Sequence, residues 1–434
     1  MPHITINKDK YVGKIKPMHC VNNFFTIGDG MNSLFEDLKI PYSRLHDTAS
    51  LNKHLVDVYA VFPDFDADEN LESSYDFTFT DMFINRLHNL GTKAYYRLGV
   101  TIENYANIKA YHIYPPKDYA KWARICEHII MHYNEGWANG FHLGIEYWEI
   151  WNEPENGATP ETNTMWKGTF EEFMKFYEIA SNHLKNKFPN LKIGGYGASG
   201  FYAIFDNMMV LEETKVQAFY GYLTECFEKF VKYFSVDGHK APLDFFSFHS
   251  YTHVERNVKM AEYCRNTLDK YGFTKTEIHL NEWNPSMWLK GSLLDSSNII
   301  SNMLALQDGK ADMLMYYDFK ATSVYCGVYD CVRKEPLKSY YVFKAFSELY
   351  QKQNQVECTI NDNDEYYAVA AYDGEEGVAV IANNSKKITW TTFEGINIKE
   401  IYFISQKQNL EPAKFSVRDK FDLYPFDTVL IKFD

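Results

Sequence analysis

The chain has 434 residues, 7 cysteines and a formal net charge of −14. That balance excludes the basic footprint that nucleic acid or an anionic membrane surface requires, and no apolar run reaches the length of a membrane span. With 33 Tyr and 32 Phe, there is material for a large core, and flat rings with polar tips suit a sugar cleft.

The opening run Met1-Pro2-His3-Ile4-Thr5-Ile6-Asn7 lacks a basic segment followed by an apolar core and a cleavage site. It reads as the start of a cytoplasmic chain, or of a secreted one from which a leader has been removed. His3–Asn7 alternates in the manner of an edge strand. From there to about residue 350, strand-like runs alternate with segments of helical spacing. The strands are read at Lys16–Val21, Tyr42–His46, Ala94–Leu98, Glu146–Trp151, Leu191–Tyr196, Leu243–His249, Glu277–Asn281 and Met313–Phe319. Among the helices, Asp118–Tyr133 turns Trp122, Ile125, Ile129 and Ile130 inward after Pro115-Pro116. Phe170–Phe188 sets Phe173, Phe176, Tyr177, Ala180 and Leu184 on one face behind a Thr169/Glu172 capping box. Eight such alternations predict an α/β fold, a (β/α)8 TIM barrel, over residues 15–351. An open doubly wound sheet is disfavoured because no glycine-rich nucleotide fingerprint follows the first strand.

Past residue 352 the helical period is lost. Short strands at Glu365–Tyr372, Gly377–Ala382, Ile388–Thr392, Glu400–Ile404 and Thr428–Phe433 are separated by turns such as Asp373-Gly374 and Glu394-Gly395. They predict a small antiparallel β-sandwich over 352–434, joined by an N-terminal strand within 1–14. The cysteines form no CxxC pair and no zinc spacing, so free thiols are expected, even for Cys326 and Cys331, which are close in sequence.

Two glutamates stand out. Glu153 follows the fourth candidate strand in Tyr147-Trp148-Glu149-Ile150-Trp151-Asn152-Glu153-Pro154, and Glu282 ends the seventh in Ile278-His279-Leu280-Asn281-Glu282-Trp283-Asn284. Each is preceded by Asn and followed by a turn marked by Pro or Trp. Functional residues of such a barrel collect at the C-terminal ends of its strands, and the fourth and seventh ends face each other across the mouth. Two carboxyls so placed are the machinery of glycoside hydrolysis. Other strand-end residues are candidates to contact a sugar: His46 beside Arg44 and Asp47, His249 and Tyr251, and Trp283 and Tyr317 as stacking platforms. Arg97 ends the third strand and either faces the pocket or pairs with Glu149 or Glu103, since a buried charge needs a partner.

The runs Arg44-Leu45-His46-Asp47, Tyr147 to Pro154, Phe246-Ser247-Phe248-His249-Ser250-Tyr251 and Asn281-Glu282-Trp283 resemble glycoside hydrolase family 39. That is the family of β-xylosidases and α-L-iduronidases within the clan of retaining barrel glycosidases. The resemblance implies that Glu282 is the nucleophile and Glu153 the acid/base of a retaining, exo-acting enzyme on an oligosaccharide or glycoside. It implies no metal or organic cofactor, and a chain able to self-associate. Asn152 would donate to the sugar 2-hydroxyl. An ionised nucleophile needs donors, for which His249 and Tyr251 are the candidates. The acid/base should have a pKa raised by burial and by its charged neighbour. Two runs depart from the family's β-xylosidases. Tyr96-Arg97-Leu98-Gly99 replaces their Glu-Leu-Gly run, and Met315-Tyr316-Tyr317-Asp318 replaces a Trp followed by an acid. These changes leave the mechanism intact and open the sugar to an arabinoside, galactoside or uronide. A non-catalytic glycan-binding protein on the same barrel is the alternative of another class.

Overall fold

A computed structural model describes residues 2–25, 29–50, 53–54, 56–101, 112–205, 214–236, 238–361, 365–413 and 420–434. After an N-terminal strand, β1 (His3–Lys14), come eight strands: β2 (Cys20–Asn22), β3 (Tyr42–Leu45), β4 (Lys93–Leu98), β5 (Tyr147–Ile150), β6 (Lys192–Ala198), β7 (Phe245–Ser250), β8 (Glu277–Trp283) and β9 (Met313–Tyr316). They close into a barrel in the order β8-β9-β2-β3-β4-β5-β6-β7. A helix follows each: α1 (Asn32–Asp37), α2 (Thr78–Asn89), α3 (Tyr119–Asn134), α4 (Phe170–Lys187), α5 (Thr214–Ser235), α6 (Val254–Lys270), α7 (Leu293–Gln307) and α8 (Lys338–Gln351). The architecture is the expected (β/α)8 barrel.

Local chemistry sets the helix starts. The Thr169 hydroxyl accepts from Glu172 N at 3.1 Å while the Glu172 carboxylate accepts from Thr169 N at 2.7 Å, closing the capping box of α4. Asp118 caps α3 by accepting from Lys121 N at 3.0 Å. The apolar faces read from the sequence are buried, with Trp122, Ile125, Ile129 and Ile130 on α3 and Phe173, Phe176, Tyr177, Ala180 and Leu184 on α4.

The barrel interior is layered. Lys192, Glu277 and Tyr147 bond one another near the N-terminal ends of their strands. Above them an aromatic layer forms, where Tyr95 stacks on Tyr147 at 5.3 Å and Phe245 on His279 at 4.9 Å. This layer seats the polar residues that follow on the same strands.

The strands past α8 are β10 (Asn354–Ile360), β11 (Tyr366–Tyr372), β12 (Gly377–Asn383), β13 (Thr389–Glu394), β14 (Ile398–Ile404), β15 (Asn409–Pro412), β16 (Lys420–Leu423) and β17 (Thr428–Phe433). With β1 they form one nine-stranded sheet in the order β15-β14-β17-β12-β11-β10-β1-β13-β16. It is mostly antiparallel, with β1 and β13 running parallel. Phe403 of β14, near one end of this order, meets Phe421 of β16, at the other end, at 5.6 Å. The single sheet therefore curls over a core that includes Ile4, Ile6, Phe393 and Ile431, as a sandwich does. β1 is not the edge strand its alternation suggested. It lies between β10 and β13, partners far away in sequence.

By contact the chain forms two compact units. One is Tyr42–Ser250 with Met260–Glu282, and the other is Met1–Pro41, Tyr251–Lys259 and Trp283–Asp434. The division differs from a single cut at residue 352, and within the second unit α7 is bonded to the sheet. Ser297 Oγ donates to Asn384 Oδ1 at 3.0 Å, and Gln307 Nε2 donates to Gln355 Oε1 at 2.7 Å. Among the described residues no helix is long and apolar enough to cross a membrane. The seven cysteines are present as thiols, five of them buried.

Candidate active site

Arg44 on β3 is the hub of a buried polar layer above the aromatic one. Its Nε donates to Glu149 Oε2 at 2.7 Å, its Nη2 to Asn152 Oδ1 at 2.6 Å and its Nη1 to Glu282 Oε2 at 3.2 Å. Glu149 Oε1 also accepts from Ser247 Oγ and Asn281 Nδ2, each at 2.6 Å. The side chains of Arg44 and Glu149 have no exposure to water. A buried ion pair is tolerable only when its remaining lone pairs and protons are satisfied, and Ser247 and Asn281 satisfy those of Glu149.

Glu153, His249 and Glu282 meet above this layer. His249 Nδ1 lies 2.7 Å from Glu153 Oε1 and 3.7 Å from Glu282 Oε2, and one atom from each of the three residues falls within 4.8 Å of the others. Asn156 Nδ2 donates to Glu153 Oε2 at 2.7 Å. His46 Nε2 stands 3.8 Å from Glu282 Oε2 and 3.3 Å from Asp47 Oδ1. Gly197 lets these groups converge. A Cβ there would come within 3.1 Å of both Arg44 Nη2 and His249 Nε2, and within 3.2 Å of Asn152 Oδ1.

The electrostatics correct one expectation. Burial pushes the Glu153 carboxyl up, but the hydrogen bond and charge of His249, then Asn156 and Arg44, outweigh it and hold the group below its ordinary value. Burial pushes His249 down, while Glu282 and Glu153 outweigh it and raise the imidazole above its ordinary value. The resting pair thus favours imidazolium and carboxylate, not the protonated Glu153 anticipated from burial and like charge alone.

Among the described residues, Glu153, His249 and Glu282 form a group whose spacing could hold a metal ion. A cation there would face the Arg44 guanidinium, 3.2 Å from Glu282, and an imidazole drawn toward its charged form. That donor set suits a proton better than a metal.

The other predicted residues are placed as follows. Arg97 is fully buried, and its Nη2 donates to Asp57 Oδ1 at 2.7 Å and to Thr101 Oγ1 at 3.2 Å. Its charge partner is Asp57, not Glu149, which Arg44 occupies; Glu103 lies outside the described residues. Trp283 is not a stacking platform, because its ring is 0% exposed and packs edge-on against Tyr316 at 5.6 Å. Tyr251 and Tyr317 both contact Tyr325, at 5.7 and 5.1 Å between ring centres. Tyr251 is exposed and Tyr317 buried.

A sequence profile described as "Glycosyl hydrolases family 39" matches residues 4–305. The chain belongs to glycosyl hydrolase family 39. The family 39 chain is 24% identical over 253 residues to a "Beta-xylosidase" of Geobacillus stearothermophilus, a match covering 56% of this chain and 42% of that protein. It is 27% identical over 205 residues to a "Beta-xylosidase" of Caldicellulosiruptor saccharolyticus, covering 44% and 39%. These matches thus span about two-fifths of each relative's length. In fold, the family 39 chain is similar to a glucosidase from Croceicoccus marinus, with a TM-score of 0.73 and 17% identity over 100% of this chain and 99% of that one. It is also similar to a family 39 β-xylosidase from Caulobacter crescentus, with a TM-score of 0.70 and 14% identity over 100% and 99%.

The sequence reading of this family 39 site missed Ser247, Asn281, Asn156 and Gly197. A signal was available for part of it. Glu149 interrupts an apolar strand, and a buried carboxylate inside a barrel requires donors from facing strands.

Proposed function

We propose that this family 39 protein is a retaining, exo-acting glycoside hydrolase, with Glu282 as nucleophile and Glu153 as acid and base. The observation that carries the reading is the approach of Glu153 and Glu282 oxygens to within 4.8 Å beside His249. A retaining pair of carboxyls sits about 5–5.5 Å apart, whereas an inverting pair leaves room for water at about 6.5–9.5 Å.

In the first step a Glu282 oxygen attacks the anomeric carbon, the glycosidic bond breaks, and the leaving oxygen takes a proton from Glu153. In the second, water attacks the same carbon, gives a proton to Glu153 and releases Glu282 from the glycosyl ester. Arg44, 3.2 Å from Glu282 Oε2, favours the ionised nucleophile. The acid proton is held by Glu153 and His249 jointly. Transfer from Nδ1 across their 2.7 Å contact protonates the carboxylate without changing the net charge of the pair. Asn152, whose oxygen is engaged by Arg44, turns its amide N–H groups to the sugar 2-hydroxyl, and His46 contacts the same sugar.

β-Xylosides are the leading substrates, on the similarity to the two β-xylosidases. Arg97 gives no reason to prefer a uronate, since Asp57 matches its charge. The test is a panel of aryl xyloside, arabinoside, galactoside, glucoside and iduronide, with the first product's anomer read by NMR. Retention is expected. Glu282→Ala should lose roughly 10⁴-fold or more in kcat, and added azide should then yield the glycosyl azide of inverted configuration. An inverted first product from the unsubstituted protein, or an undiminished Glu282→Ala, overturns the reading.

A further inference from the structure

Glu155 lies two residues beyond Glu153 and has no part in the chemistry above. Its side chain is nonetheless buried, at 1% exposure, and Oε1 accepts from Ser199 N at 2.8 Å, just past the end of β6. It interacts electrostatically with Tyr196, Tyr222 and Cys226, and with Glu153 and His249. Burial pushes its carboxyl up to about 8. A carboxyl is costly to keep in such a place, so the contact it makes needs a reason.

The backbone beside it supplies one. Trp151 has φ 74° and Glu153 φ 44°, so two non-glycine residues of one short turn occupy the left-handed region. Such conformations persist only where the surroundings over-determine them. Trp151 N donates to Leu98 O at 2.7 Å, and the Trp151 indole donates to Met165 O at 2.9 Å. Glu153 N donates to Gly197 O at 3.0 Å. Glu155 accepts from Ser199, two residues further along the same segment. The acid/base is therefore bracketed by one bond on its own backbone and one from the side chain of Glu155, both to residues 197–199. Glu153 Oε1 then stands 2.7 Å from His249 Nδ1.

We propose that Glu155 is a positioning residue for the acid/base: its side-chain tie to Ser199 clamps the strained Trp151–Glu153 turn onto the end of β6 and holds Glu153 against His249. This inference rests on the function proposed above for Glu153. A positioning role differs from general structural support in what it slows. Glycosylation of a dinitrophenyl glycoside needs no acid assistance, because the leaving group departs as a stable anion, whereas a methyl glycoside needs a well-placed acid.

The experiment compares kcat/KM, which reports the glycosylation step, on 2,4-dinitrophenyl β-D-xyloside and methyl β-D-xyloside. The variants are Glu155→Ala, Glu155→Asp and Glu155→Gln, with Glu153→Gln as control. Glu155→Ala should lose about 10- to 100-fold on the methyl glycoside and less than about threefold on the dinitrophenyl one. Glu155→Gln keeps an acceptor for Ser199 N–H and should recover most of the loss. Equal losses on both substrates, or none on either, overturn the proposal. Should Glu155→Ala not fold, Glu155→Asp carries the same comparison. A second readout does not depend on turnover. The His249 imidazole, followed by NMR, should titrate lower in Glu155→Ala or Glu155→Asp by roughly half a unit or more, because the carboxylate that raises it is no longer held in place. An unmoved titration overturns the proposal even if no xyloside is cleaved. A Glu153→Gln control without leaving-group dependence condemns the assignment of the acid/base instead.

Discussion

At the scale of single residues, the site is an arrangement for placing one proton. Arg44 is buried with its donors directed at three side chains, so its charge is fixed, and His249 and Glu153 are left to divide a proton. Glu153→Gln should therefore lower the pKa of His249, because the substitution removes the carboxylate that accepts from Nδ1 while Glu282 remains. Imidazole NMR across the titration reads the shift, and a titration that stays put or moves up refutes the pairing. Glu155 gives a second prediction, on stability. Its carboxyl rises from an ordinary 4.5 to about 8 on folding, so the folded protein keeps a proton that the unfolded chain releases between those values. The contribution is fully present below about 4.5 and fades as pH climbs toward about 8, at on the order of 1 kcal/mol per pH unit. Glu155→Gln has no proton to lose. Denaturant midpoints measured at pH 5 and pH 8 should lie closer together in that variant than in the parent protein, and an equal spread would show that the group does not titrate in this window.

At the scale of elements, the site is made where strand ends give way to turns. Gly197 sits at φ +64° with its backbone against three functional side chains. Gly197→Ala adds a Cβ in a region L-residues avoid and crowds Arg44, His249 and Asn152. It should cost more than about 1 kcal/mol in chemical denaturation and a larger share of activity than of stability. A variant with parental turnover would mean that the three side chains do not need this close approach. The same strand ends explain what was legible in the sequence. Glu153 and Glu282 announce themselves because a carboxyl beside Asn at the end of an apolar run has few structural reasons to be there. The bonds of Glu149 to Ser247 and Asn281, and the tie from Glu155 to Ser199, join residues 44 to 132 positions apart. No local pattern encodes such pairs. Trp283 illustrates the opposite failure: an aromatic residue beside a catalytic candidate looks like a platform, yet its ring is fully buried and meets Tyr316 in an edge contact.

At the scale of the whole molecule, the barrel was readable because each strand–helix alternation is local, whereas the order of the C-terminal sheet was not, because pairing there is non-local. The strand of residues 3–14 shows this best. Its alternation marked it as a strand, but nothing in the run says that it pairs antiparallel with β10, as in Ile4 with Ile360, and parallel with β13, as in Ile4 with Phe393. Its interior place has a consequence. Deleting residues 2–14 would unpair the facing edges of β10 and β13, cut β13 and β16 from the rest of the sheet, and remove Ile4 and Ile6, which are 0% and 1% exposed, from the core. An edge strand could be trimmed with little harm, but this one cannot, since unpaired buried backbone groups add to the lost apolar burial. The deletion should leave the C-terminal sheet unable to fold cooperatively, seen as an early thermal transition or as insoluble protein. Ile6→Ala, the milder change, should cost about 2–5 kcal/mol in denaturant unfolding. A deletion variant melting within about 2 °C of the parent would mean that β1 is dispensable and that the nine-stranded order is not what holds the sheet together.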